Sequence, residues 1–206
     1  MKNILKDQYI DYLVKLKANP HPNLSVDKGA IIIRTENTSD PLFEIIDKKE
    51  SILTQIGQGS ATYCNSCHKS VEIIDYENFV NQLPKECQKD IKRADFIIHH
   101  DEGTDFFIIN ELSQSEDIRN KRKKAILQLN NAVMHLTRCV DTNAYISRFN
   151  RKICIFSNKD RLINTGNNPA LAFDKIKEYL PDPIPIKFQQ ITNAGFEAIE
   201  TATFEL

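Results

Sequence analysis

The sequence of 206 residues contains no apolar run close to the roughly 18 residues that a helix needs to cross a bilayer. Its first seven residues include Lys2, Lys6 and Asp7, and no apolar region typical of a secretory signal accompanies them. We therefore expect a cytoplasmic protein that makes no contact with a membrane.

The sequence also lacks an excess of charge of either sign. Lys and Arg total 27 and Asp and Glu total 28, which gives a net charge of -1. A protein that coats nucleic acid is strongly basic, so that class is excluded and any contact with nucleic acid must come from local patches. The hydrophobic fraction of 41% and the charged fraction of 27% are typical of a globular protein with a full core. The length favours a single domain over residues 1–206.

Several common motifs are missing. We find no internal repeat, no low-complexity segment, no Walker sequence and no dinucleotide fingerprint. Gly57 and Gly59 are too closely spaced for a phosphate loop. The five cysteines are odd in number and irregularly placed, which is not the pattern of a disulfide framework, so we expect reduced thiols.

Cys64 and Cys67 form a CxxC pair that His68 follows directly. A structural zinc ion needs four nitrogen or sulfur ligands, and Cys87 is the candidate for the fourth. Adjacent residues such as Cys67 and His68 do not usually bind the same ion, and a second CxxC is absent. We therefore do not expect a structural Zn²⁺ ion. A zinc-stabilised interaction module is a weaker interpretation of the chain than the two given at the end of this section.

The most informative stretch is residues 93–113. Two runs rich in Ile and Phe flank a polar turn that contains Gly103, which is the pattern of a β-hairpin. If the turn centres on Gly103, Asp95 in the first strand lies opposite Glu111 in the second. Directly opposed residues have Cβ atoms roughly 4.5–5.5 Å apart. Two carboxylates this close suit a hard divalent cation such as Mg²⁺, and they repel each other without one.

Hydrophobic periodicity predicts alternating helices and strands along the rest of the chain. Asp75 is predicted to cap the helix that begins at Tyr76, and Pro185 restricts its strand to the edge of a sheet. Helices are expected over residues 2–18, 76–83, 85–92, 115–136, 144–149 and 169–180, and strands over 31–33, 41–46, 51–57, 71–74, 151–157, 184–191 and 196–204.

The hairpin, the long helix and strand 151–157 predict a right-handed crossover, with that last strand parallel to the strand of Glu111. The fold class is therefore α/β, with a central mixed sheet flanked by helices and further strands and helices towards both ends.

This order of elements, with its acids at 95 and 111, resembles the core of the PD-(D/E)XK nuclease superfamily. The resemblance covers about residues 70–157 and implies a restriction-endonuclease-like core, with residues 1–69 and 158–206 as peripheral elements. The Asp of the family falls on Asp95 and its second acid on Glu111. Gln128 matches a Gln that often faces the site from the following helix.

Ser113 departs from the family, which usually has Lys at this position. Residues 111 and 113 share one strand face, so the geometry is kept although the charge is not. Lys121 and Lys124, which share a helix face with Gln128, are the candidates to replace the missing Lys. The alternative role for Ser113 is to cap the helix, in a capping box with Glu116.

The resemblance also implies an acid supplied from an earlier helix, and Glu77 and Glu72 are both candidates. Each proposed site residue has a plainer interpretation. Asp95 could pair with Arg93 or Lys92 at the edge of a strand, Glu111 could face solvent at a strand end, and Gln128 could be an ordinary exposed helix residue.

Two groups of basic residues flank the proposed site, at positions 120–124 and at Lys85, Lys89, Lys92 and Arg93. Such patches contact phosphates in nucleic-acid-binding proteins, although a solvated helix face is the more common explanation of either group alone.

The resemblance implies a nuclease that hydrolyses phosphodiester bonds with Mg²⁺, or with Mn²⁺ in its place, of the restriction or defence type. We expect its substrate to be DNA, and members of the family often act as homodimers that cut both strands. Asp95, Glu111 and Glu77 would hold the metal. Ser113 favours the alternative of an inactive nuclease fold that serves as a nucleic-acid-binding or regulatory subunit.

Overall fold

The computed structural model describes residues 1–19, 21–48, 50–89, 91–113, 118–158 and 183–206. In these residues, a seven-stranded sheet lies between a layer of helices and a four-stranded sheet.

The helices begin with α1 (Lys2–Ile4), which continues through a π-helical turn (Leu5–Tyr9) into α2 (Ile10–Lys17). The others are α3 (Tyr76–Asn81), α4 (Lys85–Gln88), α5 (Ile118–Arg138), α6 (Val140–Ile146) and α7 (Gln189–Asn193). The strands are β1 (Thr35–Thr38), β2 (Leu42–Ile45), β3 (Leu53–Thr54), β4 (Ala61–Cys64), β5 (Val71–Asp75), β6 (Phe96–His100), β7 (Phe106–Ser113), β8 (Arg151–Asn158), β9 (Ile184–Pro185), β10 (Glu197–Glu200) and β11 (Thr203–Glu205).

The large sheet has the strand order β1-β5-β6-β7-β8-β10-β9. Its strands are antiparallel from β1 to β7, parallel from β7 through β8 to β10, and antiparallel again at β9. Along the chain, helix α5 lies between the parallel strands β7 and β8, as the sequence predicts. The structure confirms the α/β class with a mixed sheet flanked by helices.

Each face of the large sheet has its own apolar core because side chains alternate along a strand. In β6 and β7, Ile97, Phe107 and Ile109 pack with the helices. The intervening residues, among them Ile98 and Ile108, pack against the small sheet, whose strand order is β11-β4-β2-β3. Odd-numbered positions of the hairpin therefore face the helices.

The predicted strand at residues 31–33 is wrong. Ile31 and Ile33 are buried and Ile32 is 73% exposed, but the first strand, β1, begins only at Thr35. The side-chain amide of Gln82 takes the place of a strand partner, because it accepts from Ile32 N at 2.9 Å and donates to Ile32 O at 2.8 Å. An apolar run cannot reveal that the side chain following α3 will satisfy its backbone.

The strand predicted over residues 184–191 is also mostly wrong. Only β9 pairs, at the sheet edge expected for Pro185, and the chain then forms α7. This helical turn lets Ile191 reach the helix-side core, where it is fully buried. The strand predicted over 196–204 divides into β10 in the large sheet and β11 in the small one.

The sequence did not predict strands β1 and β4, and the other differences concern the limits of elements. The helix predicted over 144–149 is α6, which begins at Val140, and the predictions over 51–57 and 85–92 shorten to β3 and α4. The predicted helix over 169–180 lies outside the described residues. The capping box at 113–116 lies outside them in part.

Gly57 and Gly59 bind a carboxylate of the chain itself. Their backbone N–H groups donate to Glu44 Oε2 at 2.9 and 2.6 Å, and Thr62 donates to Glu44 Oε1. A Cβ atom on Gly59 would lie 2.5 Å from the Cβ of Glu44, so this close approach requires glycine. In the described part of the chain, no helix is long and apolar enough to cross a membrane.

The hydroxyl groups of Tyr9 and Tyr76 form a fully buried hydrogen bond of 2.7 Å between the N-terminal helical segment and α3. Replacing either Tyr by Phe should lower the free energy of unfolding by about 1–2 kcal/mol, because one buried hydroxyl loses its partner. Replacing both should cost clearly less than the sum of the two single changes, because neither hydroxyl remains. Urea unfolding of the four proteins measures this coupling, and strictly additive losses would contradict it.

Candidate metal centre

The pairing of β6 with β7 positions the two acids singled out by the sequence. Phe96 pairs with Asn110 and Ile97 with Ile109, and the N–H of Asp95 donates to the carbonyl of Asn110 at 3.1 Å. This register centres on residue 103 and brings Asp95 opposite Glu111. Both positions are odd-numbered, so both side chains face the helix layer.

Both carboxylates are buried. Asp95 is 8% exposed and Glu111 is 7% exposed, so the interpretation of Glu111 as a solvent-facing residue is wrong. The backbone N–H of Leu112 donates to Asp95 Oδ2 at 2.6 Å and fixes that carboxylate. Glu111 Oε2 is buried and has no hydrogen-bond partner among the described residues. A buried acceptor of this kind normally has a donor or an ion beside it.

Helix α3 brings Glu77 to the same place. The carbonyl of Asp95 accepts the N–H groups of Tyr76 and Glu77 at 2.9 and 3.1 Å, so the first turn of the helix is bound to the start of β6. Asp75 caps α3 as predicted, by accepting from Asn78 N at 2.9 Å. Of the two earlier acids proposed from the sequence, Glu77 is therefore the one that lies beside Asp95.

The other candidate, Glu72, lies elsewhere. Its carboxylate is 2.9 Å from Nε2 of His99, which is fully buried. With Asp101, these two residues form a separate group of ligand-type side chains. His99 thus pairs with Glu72 and is not part of the arrangement around Asp95.

Asp47 is a site residue that the sequence does not reveal. It follows β2 in an exposed loop, yet its carboxylate comes together with those of Glu77 and Asp95, with one oxygen of each within 4.8 Å of the others. Arg34 explains this placement, because Nη2 donates to Lys48 O at 2.7 Å and lies 2.9 Å from the carboxylate of Asp75. The loop is thereby attached to the cap of α3.

These acids open into a pocket of about 290 Å³ between the end of the hairpin and α5. Except for Glu72, every site residue predicted from the sequence lines this pocket. Its lining is Asp47, Ser60, Glu77, Asp95, Glu111, Leu112, Ser113, Lys121, Lys124, Ala125, Gln128 and Phe156.

Gln128 is more deeply placed than its polar helix face suggests. It is 9% exposed, and Nε2 donates to the carbonyl of Arg93 at 2.8 Å, while Oε1 is buried without a hydrogen-bond partner among the described residues. Lys121 and Lys124 are exposed at the rim of the pocket, and Ser113 is buried at 7% exposure. The pocket thus combines buried oxygen acceptors with exposed ammonium groups.

The acids raise one another's pKa values. Burial, together with the negative charges of Glu77 and Asp47, raises the pKa of Asp95 to about 7, although the hydrogen bond from Leu112 acts in the opposite direction. Burial and the charge of Asp95 raise the pKa of Glu111 well above its ordinary value, while Lys124 lowers it. Without a cation, the folded protein therefore holds these carboxylates at a cost.

The basic residues near the site are partly engaged in ion pairs. Arg93 Nε lies 3.8 Å from the carboxylate of Glu77. The sequence had suggested an ion pair of Arg93 with Asp95 instead. Arg122, in the basic group 120–124, contacts the buried carboxylate of Glu200 at 2.7 Å. The lysines of this group that line the pocket are Lys121 and Lys124.

Cys87 lies in a different part of the fold from Cys64. All five cysteines are free thiols, and Cys87 is buried in the helix-side core, whereas Cys64 lies in the small sheet. The groups of three or more ligand-type side chains in the described residues contain no cysteine.

The donor set of the pocket fits a hard divalent cation. Carboxylate and amide oxygens are the ligands of Mg²⁺ and Mn²⁺, and the described lining contains no histidine or cysteine. The partnerless oxygen of Glu111 lies in this pocket. No family model, curated protein or solved structure matches the chain.

The raised pKa of Asp95 predicts that the metal-free protein loses stability as the pH rises. Between about pH 4 and pH 7 the folded protein keeps a proton that the unfolded chain has released, so the free energy of unfolding falls by at most ~1.4 kcal/mol per pH unit for this group. Asp95→Asn should remove this contribution and be more stable than the wild type at pH 7.5.

Urea unfolding in the presence of EDTA at several pH values between 5 and 8 tests this. Asp141→Asn, a change at an exposed position of α6, is the control and should follow the wild type. The same pH dependence in Asp95→Asn and the wild type would show that Asp95 is not the group responsible.

Proposed function

We propose that the protein is a metal-dependent nuclease that hydrolyses phosphodiester bonds, with DNA as the expected substrate. The observation that carries this proposal is the pair Asp95 and Glu111, buried opposite each other in a pocket with Glu77, with one carboxylate oxygen of Glu111 lacking a partner among the described residues. The resemblance of the hairpin, α5 and β8 to the PD-(D/E)XK core supports it.

Asp95, Glu111 and Glu77 would hold Mg²⁺ or Mn²⁺. A cation bound there would lower the pKa of a coordinated water and offset the charge that develops on the phosphodiester. In the reaction, the water oxygen bonds to phosphorus as one bond from phosphorus to a sugar oxygen breaks. The water gives up a proton to solvent and the departing oxygen gains one, so the products are a phosphomonoester and a hydroxyl group.

The residues of α5 add positive charge and orientation. Lys124 is the better of the two lysine candidates, because its charge acts on both Glu111 and Glu77. An exposed ammonium at the rim of the pocket can approach a bound phosphate and stabilise its transition state. Gln128 Oε1 is an acceptor that can orient a water molecule within the pocket, while Nε2 stays bound to Arg93 O.

Ser113 supports a second candidate function. It lies in the pocket at the position where the resemblance expects Lys, and a chain without that charge could bind nucleic acid without cutting it. Such a protein would be a nucleic-acid-binding or regulatory subunit with a nuclease fold.

Cleavage of plasmid and single-stranded DNA with Mg²⁺ or Mn²⁺ separates the two functions. We expect the wild type to cut, and Asp95→Asn and Glu111→Gln to lower the rate by at least about 100-fold, since each removes a ligand of the cation that would offset charge in the transition state. Glu102→Gln, an exposed change in the hairpin turn, is the matched control and should retain activity.

Equal residual cutting in all variants would indicate a contaminant or a different site. Metal-dependent binding of DNA without any cleavage by the wild type would favour the regulatory subunit.

The role of Lys124 can be tested against its neighbour. Lys124→Met should lower the cleavage rate by about 10- to 100-fold if this lysine replaces the missing motif Lys, and Ser113→Lys in the same protein should restore part of the rate. Lys123→Met is the control, because Lys123 is exposed and does not line the pocket. Equal rates in both lysine variants would exclude the role.

A further inference from the structure

We propose that Arg93 is a phosphate-binding residue whose guanidinium is held by Glu77 until a cation binds at the metal centre. The bound cation releases Arg93 to a phosphate of the nucleic acid, so the protein binds nucleic acid more tightly when the metal is present. This inference rests on the proposed function, which it deepens by naming a contact with the substrate and the event that controls it.

The side chain of Arg93 has a weak partner in the metal-free protein. Its Nε lies 3.8 Å from Glu77 Oε1, which is close enough for an ion pair but too long for a hydrogen bond. The same Nε is buried and has no hydrogen-bond partner among the described residues. The side chain as a whole is 25% exposed, so part of it is open to solvent. A buried donor of this kind normally has an acceptor beside it.

The backbone at Arg93 is held independently of this ion pair. Gln128 Nε2 donates to Arg93 O at 2.8 Å, and three residues further along α5, Asn131 Oδ1 accepts from Lys92 N at 2.9 Å. Lys124 lies on the same face of α5 as Gln128, about 6 Å away along the helix axis. Arg93 can therefore change its side-chain partner without moving away from the pocket.

Glu77 cannot serve a cation and Arg93 equally well. Burial and the charge of Asp47 raise the pKa of Glu77, and the charge of Arg93 acts in the opposite direction. A divalent ion on this carboxylate would offset the charge that attracts Arg93, and it would also repel the guanidinium. Occupation of the metal centre therefore weakens the ion pair and leaves Arg93 without its partner.

A phosphodiester is the partner that fits the released side chain. A guanidinium has five N–H donors and no acceptor, in a planar fork that matches two oxygens of a phosphate. The ammonium groups of Lys121 and Lys124 line the neighbouring pocket and attract the same ligand. Arg93 itself does not line that pocket, so the phosphate that it binds is next to the one at the metal in the same strand.

The test is to measure how tightly a short fluorescent DNA binds, as a single strand and as a duplex, in EDTA and in Ca²⁺. Ca²⁺ also binds carboxylate oxygens and stands in for Mg²⁺, so that binding can be measured in the absence of the reactive ion. Arg93→Met should weaken binding at least about tenfold in Ca²⁺ and less than about twofold in EDTA, because the charge-assisted hydrogen bonds form only with the metal.

Two further variants show that the effect belongs to the guanidinium of Arg93. Arg93→Lys keeps the charge but not the fork, so it should restore part of the affinity in Ca²⁺. Arg138→Met removes an exposed positive charge at the far end of α5 and should have the same small effect in both conditions. Methionine retains an apolar stem at position 93, and the unfolding midpoint of each variant in EDTA checks that it is folded.

Glu77→Gln tests the release directly. This change removes the partner of Arg93, so we expect binding of DNA in EDTA to become about fivefold tighter, and Arg93→Met in the same protein should abolish the gain. Asp47→Asn removes an equal charge from the pocket, but Asp47 is not the described ion-pair partner of Arg93. Any gain from Asp47→Asn should therefore persist when it is combined with Arg93→Met.

The outcomes distinguish this inference from the proposed function. Binding by the wild type that Ca²⁺ does not change, an equal loss in Arg93→Met with and without Ca²⁺, or a gain in Glu77→Gln that persists with Arg93→Met would each overturn the role of Arg93. The metal centre would still stand in these cases. Failure of the wild type to bind DNA in either condition would overturn the proposed function as well.

Discussion

The register between β6 and β7 is the constraint on which the candidate site depends. With the hairpin centred on residue 103, Asp95 and Glu111 oppose each other and face the helix layer. A shift of one residue in either strand would turn that strand's acid towards the small sheet, into a core of Ile and Phe. The apolar residues on both faces of the hairpin therefore also determine where the acids lie.

Around this hairpin, the fold holds like charges close together. The carbonyl of Asp95 fixes the start of α3 and so Glu77, while α5 crosses above with Gln128 and Lys124. Packing on both faces of the large sheet keeps these acids buried although their mutual repulsion opposes it. Such an arrangement is stable in a folded protein when the packing outweighs the repulsion between the carboxylates. A bound cation would offset this repulsion.

The sequence is most informative where structure is local. The hairpin, the cap at Asp75 and the parallel strand β8 follow from turn chemistry, capping and periodicity, and each is present. The choice between Glu77 and Glu72 could not be made from the sequence, because it depends on how α3 meets β6. The prediction at residues 31–33 fails for a similar reason, since the amide of Gln82 replaces a strand there.

The position of Asp47 could not be predicted from the sequence. An acid in a polar loop has no local feature that distinguishes it, and its position depends on a contact of Arg34 with Lys48 and Asp75. Only the tertiary structure brings these residues together.

The small sheet that carries this loop has a consequence for biosynthesis. Its edge strand β11 pairs with β4, although the two are separated by most of the chain, and β10 just before it joins the large sheet. Pairings between such distant segments form late, because a long loop has to close first. On the ribosome, β2, β3 and β4 can pair with one another first, and β11 can complete the small sheet only after residues 203–205 have left the exit tunnel.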